Sequence, residues 1–107
     1  MEKDFILVRS LGVIKQIEKT QILFIEAECG CSFFYLQTGE KFSCSKSLRE
    51  IGDSLPPFFV RIRRNCLVNA HKISEFKVKQ RKIALLNGTK QVVSHRNIKA
   101  LTNTLMG

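Results

Sequence analysis

Residues 59–69 read Phe-Val-Arg-Ile-Arg-Arg-Asn-Cys-Leu-Val-Asn and place a cluster of arginines between two apolar runs. Side chains alternate between the two faces of a strand, so Arg61 and Arg63 share one face and Ile62 lies on the other. Arg64 and Asn65 then form the connection to the next apolar run. The stretch therefore predicts two strands joined by a polar connection that presents guanidinium and amide groups.

Outward from this stretch, the chain predicts further short strands, because β-branched and aromatic residues recur between turn signals. Ile22–Ile25 is a continuous apolar run, which is typical of a strand covered on both faces. Asn87-Gly88 predicts a tight hairpin because both residues tolerate a positive φ. The predicted strands are 5–9, 13–17, 22–25, 33–37, 41–44, 58–62, 66–68, 73–78, 81–86 and 91–93.

Two short helices complete the predicted elements. Ser47 and Glu50 have the spacing of a capping box, and Pro56-Pro57 ends the helix that they begin. Ser94 is the predicted N-cap of a second helix at the C-terminus. We expect the apolar stripe of that helix to pack in the core, and the stripe consists of Ile98, Leu101, Leu105 and Met106.

Length and composition exclude several classes of protein. The chain has 107 residues, of which 44% are hydrophobic and 25% charged, as in an ordinary globular domain. No apolar run approaches the roughly 18 residues of a membrane span. The polar start Met1–Asp4 argues against a secretory signal. We expect a single cytoplasmic domain over residues 1–107, with no membrane partner.

The charge of the chain is unevenly distributed. The formal net charge is +9, yet residues 1–53 hold seven basic and eight acidic side chains. Residues 54–107 hold eleven basic side chains and one acidic side chain, Glu75. A half-chain this basic attracts polyanions, of which nucleic acid is the commonest.

Neither catalysis nor metal binding is indicated. The cysteines lie at positions 29, 31, 44 and 66. Cys29-x-Cys31 has one intervening residue, whereas structural zinc sites leave two to four, so we expect free thiols and no metal or cofactor. Known catalytic motifs are absent, and Glu26 and Glu28 fit a solvated strand edge better than a catalytic pair. The sequence therefore predicts that the chain is not an enzyme.

Two polar segments suit nucleic acid. Arginine binds phosphate and the O6 and N7 atoms of guanine, and asparagine pairs with adenine. Residues 61–65 could therefore contact both the nucleic-acid backbone and the bases. Ser94-His95-Arg96-Asn97 begins the predicted second helix. The free backbone N–H groups of a helix start favour phosphate.

These features together resemble the LytTR DNA-binding family over roughly residues 4–106. Arg61, Arg64, Val68 and Asn69 carry the most specific part of the resemblance. Its other segments are Ile22–Ala27, Ser47–Glu50, Leu86–Gly88 and Val93–Asn97. The resemblance implies a mainly β, elongated domain of about ten short strands in small sheets with short helices.

The resemblance also implies a function. Members of this family are mostly bacterial transcription regulators that insert loops into successive major grooves of double-stranded DNA and bend it. They bind direct repeats in promoters, so monomers side by side on DNA are expected. Many relatives carry a receiver domain, and we expect none in this chain.

Candidate contact residues follow from the resemblance and from charge. The candidates for reading bases are Ser32, Arg64, Asn65 and Arg96. The candidates for binding phosphates are Lys46, Arg61, Arg63, His95, Asn97 and Lys99. The family often has histidine, serine and an aromatic residue where Arg63, Asn65 and Cys66 stand, so the base preference does not transfer. Asn69 is predicted to be structural, with its side chain bonded to turn backbone.

Three alternatives remain open from the sequence. An RNA-binding module would stack bases on Phe33, Phe34 and Tyr35. A redox or metal sensor would use the four cysteines. A protein-interaction module would need a partner and would have no intrinsic affinity for DNA.

Overall fold

Ten strands in three antiparallel sheets organise residues 4–107, the part of the chain that this computed structural model describes. Residues 1–3, which belong to the polar start Met1–Asp4, lie outside the described residues. β1 (Phe5–Ser10) and β2 (Val13–Glu18) pair as a hairpin. The second sheet contains β3 (Ile22–Glu28), β4 (Cys31–Leu36), β5 (Lys41–Cys44), β6 (Phe59–Arg63) and β7 (Cys66–Asn69). The third contains β8 (Ile73–Lys77), β9 (Lys82–Leu85) and β10 (Lys90–Val92).

β3 is the central strand of the five-stranded sheet, whose order is β5-β4-β3-β7-β6. Its first four residues are all buried, which confirms the prediction of a strand covered on both faces. Ile22 and Ile25 pack in one apolar cluster, whereas Leu23 and Phe24 pack in a second. The five-stranded sheet therefore separates two cores. The described residues span 43 × 33 × 24 Å, as expected for an elongated mainly β domain.

The first helix, α1 (Leu48–Gly52), begins as its sequence predicts. The Ser47 hydroxyl accepts from the Glu50 N–H, and the Glu50 carboxylate accepts from the Ser47 N–H. Leu48 and Ile51 are buried in the first core. No helix within residues 4–107 is long and apolar enough to cross a membrane.

The second helix differs from its prediction at both ends. A 3₁₀ turn covers His95–Asn97, and α2 (Ile98–Met106) begins after it, so Ser94 is not the cap of the α-helix. Leu101 is fully buried, but Leu105 and Met106 are 38% and 84% exposed. The expectation that the whole stripe packs in the core is wrong, because the second core contains Leu101 and does not extend to the last turn.

The turns also differ from expectation. Asn87-Gly88 lies in a hairpin, but only Gly88 has a positive φ, and the Asn87 side chain instead accepts from the Thr89 N–H. The two-residue turns with two positive φ angles are Leu11-Gly12 and Cys29-Gly30. Their first residues are ones that such turns rarely use.

We predict that Leu11→Asn stabilises the protein. Leu11 has a φ of 49° and is 99% exposed, so the substitution removes strain and loses no packing. The free energy of unfolding is expected to rise by about 1 kcal/mol, measured by urea denaturation. Leu86→Asn is the matched control, because Leu86 is exposed and does not have a positive φ. A gain in the control equal to that at Leu11 would contradict the explanation.

Candidate nucleic-acid interface

Three connections converge at one end of the five-stranded sheet. They are the β3–β4 turn (29–30), the β5–α1 segment (45–47) and the β6–β7 turn (64–65). Antiparallel pairing of β3 with β4 and β7, of β4 with β5 and of β6 with β7 brings them together. Residues of all three segments line an open groove of about 520 Å³.

Four cationic side chains line this groove, and Arg64 is the one that the β6–β7 turn carries. Its side chain is exposed and makes no hydrogen bond or ion pair within residues 4–107. Its backbone is fixed, because Arg61 Nη1 donates to the Arg64 carbonyl at 2.7 Å. The Ala27 N–H donates to the carbonyl of Asn65 at 2.8 Å. The groove thus holds a rigid turn with a free guanidinium. Its cationic residues are Lys46, Arg49, Arg61 and Arg64.

Arg63 has a different role from the predicted phosphate contact. Its Nε donates to Asn65 Oδ1 at 3.1 Å, and its Nη1 donates to the Val92 carbonyl at 2.9 Å. Its Nη2 donates to Gln91 Oε1 at 2.7 Å and to the Glu26 carboxylate. The side chains of Arg63 and Glu26 are about one quarter exposed. The structure corrects the prediction, since these internal partners occupy the guanidinium.

Glu26 also departs from its prediction. It was expected on a solvated strand edge, but β3 is the central strand of its sheet and the carboxylate is paired with Arg63. The ion pair joins the nearly neutral half of the chain, residues 1–53, to the strongly basic half, residues 54–107. Arg63 further connects the five-stranded sheet to β10 of the three-stranded sheet.

Ser32 is likewise corrected. It lies outside the predicted strands 22–25 and 33–37 and was expected to read bases, but it is the second residue of β4 and is 1% exposed. Its hydroxyl donates to the Lys46 carbonyl at 2.6 Å. Because the preceding turn has only two residues, the strand has already resumed at Cys31. Ser32 therefore holds the backbone of the 45–47 segment in place through this hydrogen bond. The exposed cationic side chain of that segment is Lys46.

The start of the last helix lies beside the same end of the sheet. The Ser94 N–H donates to the Ile62 carbonyl at 2.7 Å, which places the 3₁₀ turn His95–Asn97 next to the end of β6. His95, Arg96 and Lys99 are exposed. Asn97 is half-buried, and its side-chain oxygen accepts from the Ser94 hydroxyl. This turn and the first turn of α2 therefore add two exposed cationic side chains, Arg96 and Lys99, beside this end of the sheet.

Arg49, which lines the groove from α1, is not among the contact residues expected from the sequence. The signal was available in principle, because the capping box fixes the start of that helix and thus the position of its second residue. In the structure Arg49 is exposed.

The cysteines and aromatic residues bear on the alternative functions. Cys66 is fully buried, and its burial raises the pKa of the thiol to about 12. No group of three His, Cys, Asp or Glu side chains that could hold a metal occurs within residues 4–107. Phe34 is buried, and Tyr35 stacks on Phe24 with ring centroids 4.3 Å apart. The Phe33–Tyr35 run is therefore not an exposed platform for stacking RNA bases.

Comparison with known proteins gives the family. The model of the LytTr DNA-binding domain matches residues 12–106. Among solved structures, the fold is similar to the LytTr DNA-binding domain of a methyl-accepting/DNA response regulator from Bacillus cereus, with a TM-score of 0.81 and 18% identity. That alignment covers 96% of this chain and 97% of the other. No curated protein matches. The resemblance to this family is thus confirmed, and the chain belongs to the LytTr DNA-binding domain family.

Proposed function

We propose that this chain binds double-stranded DNA with sequence specificity and acts as a transcription regulator in the bacterial cytoplasm. The observation that carries the proposal is the free Arg64 side chain on a turn whose backbone is fixed at both of its residues. A rigid backbone with a free guanidinium is suited to reading a base edge, because the backbone loses little conformational entropy on binding.

The residues of the proposed interface divide into two roles. The β6–β7 turn and the His95–Asn97 turn enter successive major grooves, where Arg64, Asn65 and Arg96 read bases. Phosphate contacts fix the register of the protein on the duplex and supply much of the affinity. The residues proposed for phosphate contacts are Lys46, Arg49, Arg61, His95, Asn97 and Lys99. We place Ser32 and Arg63 in supporting roles because Ser32 is buried and the Arg63 guanidinium donates to four groups within the protein.

The proposal also covers assembly and chemistry. Monomers lie side by side on direct repeats in promoter DNA, each reading one half-site. The domain needs no cofactor and carries out no catalysis, since its contribution is recognition. The excess of basic residues in the second half of the chain speeds association with DNA by electrostatic steering.

Arg96→Ala tests the division between base and phosphate contacts. On a specific duplex we expect a loss of affinity of about 1–3 kcal/mol, or roughly 5- to 150-fold, and a smaller loss on a scrambled duplex. Fluorescence anisotropy with both duplexes at the same salt concentration measures the difference.

Lys99→Ala is the matched control for this experiment. Lys99 is exposed and lies three residues further along the chain, and we propose that it contacts phosphate only. Its loss should weaken binding to both duplexes equally. Equal losses on both duplexes for Arg96→Ala would assign Arg96 to the backbone and contradict its role in reading bases.

A further inference from the structure

A second concentration of positive charge lies on the three-stranded sheet and its β8–β9 turn, outside the groove. We call it the basic face. All five of its cationic residues are exposed, and none of them forms an ion pair within residues 4–107. The only acidic residue on β8, β9 or β10 is Glu75. The basic face consists of Lys77, Lys79, Arg81, Lys82 and Lys90.

The arrangement of these residues is unfavourable for the isolated domain. Lys77 and Lys82 are directly opposite each other on β8 and β9, and like charges in such a pair destabilise a sheet. Arg81 adopts a φ of 54°, a conformation that favours glycine or asparagine. The stability of the domain therefore explains neither the opposed lysine pair nor an arginine at position 81.

The basic face is continuous with the proposed interface. The Val93 N–H donates to the Arg81 carbonyl at 2.8 Å, and Val93 directly precedes the segment that carries Arg96. Arg63 Nη1 donates to the carbonyl of Val92, the last residue of β10. The turn between β8 and β9 is therefore held beside the end of the molecule that carries Arg64.

The composition of the basic face indicates which part of DNA it binds. Four of its five cations are lysines, which act as point charges toward phosphate, whereas three of the four cations of the groove are arginines, whose forked guanidinium can bind phosphate or read a base edge. A duplex offers a regular row of phosphates along each strand, about one negative charge per 1.7 Å of helix axis when both strands are counted. Several lysines on a sheet can bind such a row without reading its sequence.

We propose that the basic face is a second surface for the DNA backbone, which holds the duplex that flanks the half-site. This rests on the proposed function, and it extends the footprint of one domain beyond the bases read by residues 64–65 and 96. Partner DNA neutralises the Lys77–Lys82 pair and removes its repulsion. The flank then contributes affinity without contributing sequence preference.

The test uses Lys77→Thr/Lys82→Thr in the whole chain. Threonine suits a strand and removes the like-charge pair, so the melting temperature should be unchanged or higher. On a duplex of arbitrary sequence about three helical turns long, affinity should fall about tenfold and the log–log salt slope should become shallower by about 2. On a duplex of about one turn that contains only the selected half-site, affinity should change less than about twofold.

Lys41→Thr/Lys72→Thr is the matched control, since it also removes two positive charges. These two lysines lie at the end of the five-stranded sheet that is opposite to the groove. It should bind the long duplex nearly as well as the parent. Equal losses of affinity for the long duplex in the control and the test variant, or no loss in the test variant, would contradict the proposal that the basic face binds the DNA backbone. A parent that shows no preference between selected and scrambled duplexes would instead contradict the proposed function, whatever the variants do.

Discussion

Arg63→Ala is expected to lower the free energy of unfolding by about 3 kcal/mol. The substitution leaves the Glu26 carboxylate without its partner in a site where both side chains are only about one quarter exposed. It also removes donors to the Val92 carbonyl, Gln91 and Asn65. Urea denaturation measures the loss, and specific DNA binding should weaken as well, because Arg63 connects the β6–β7 turn to β10.

Arg63→Lys distinguishes geometry from charge. Lysine keeps the positive charge but cannot replace a planar fork that donates to four groups, so most of the loss should remain. Arg61→Ala is the control, because it removes one hydrogen bond, which Arg61 donates to the Arg64 carbonyl. It should lower the free energy of unfolding by less than about 1 kcal/mol. Full stability in Arg63→Lys would contradict the explanation, since charge alone would then suffice.

Asn69→Ala is expected to cost a similar amount, about 3 kcal/mol. Asn69 is 1% exposed, and its Nδ2 donates to the Ile22 carbonyl at 3.0 Å. Its Oδ1 accepts from the His71 N–H at 2.9 Å. Alanine leaves both backbone groups without these partners, and the buried carbonyl of Ile22 is the costlier of the two. Thermal or urea denaturation checks the value.

Asn87→Ala is the matched control for Asn69. Asn87 Oδ1 accepts from the Thr89 N–H at 3.0 Å, which is the same local pattern on an exposed turn. Water can replace that bond, so the loss should stay below about 1 kcal/mol. If the two substitutions cost the same, burial is not the cause of the effect at Asn69.

Much of the fold was predictable because its signals are local. The apolar run at 22–25 indicates a covered strand whatever its partners are, and the Ser47–Glu50 capping box fixes the start of α1. Asn69 could be assigned a structural role for the same reason, since a turn asparagine commonly bonds backbone two residues on. Periodicity and capping operate over a few residues, and a single sequence shows them directly.

The parts that were wrong depend on distant residues. Arg63 looked free for phosphate because its half of the chain holds almost no acid, yet its partner Glu26 lies 37 positions earlier and Gln91 28 positions later. Ser32 looked like a loop residue, because a glycine marks a turn but does not give its length. Met106 looked buried because helical spacing shows which face is apolar, not how far the core extends.

The measurement that tests the central claim most directly is a selection of this domain on random duplex DNA. The enriched duplex and a scrambled version are then compared by mobility shift at about 0.15 M salt, since affinity depends steeply on ionic strength. We predict an enriched motif with half-sites about one helical turn apart, bound at least about 1,000-fold more tightly than the scrambled duplex. Equal binding to both duplexes, or no binding to either, would contradict the account.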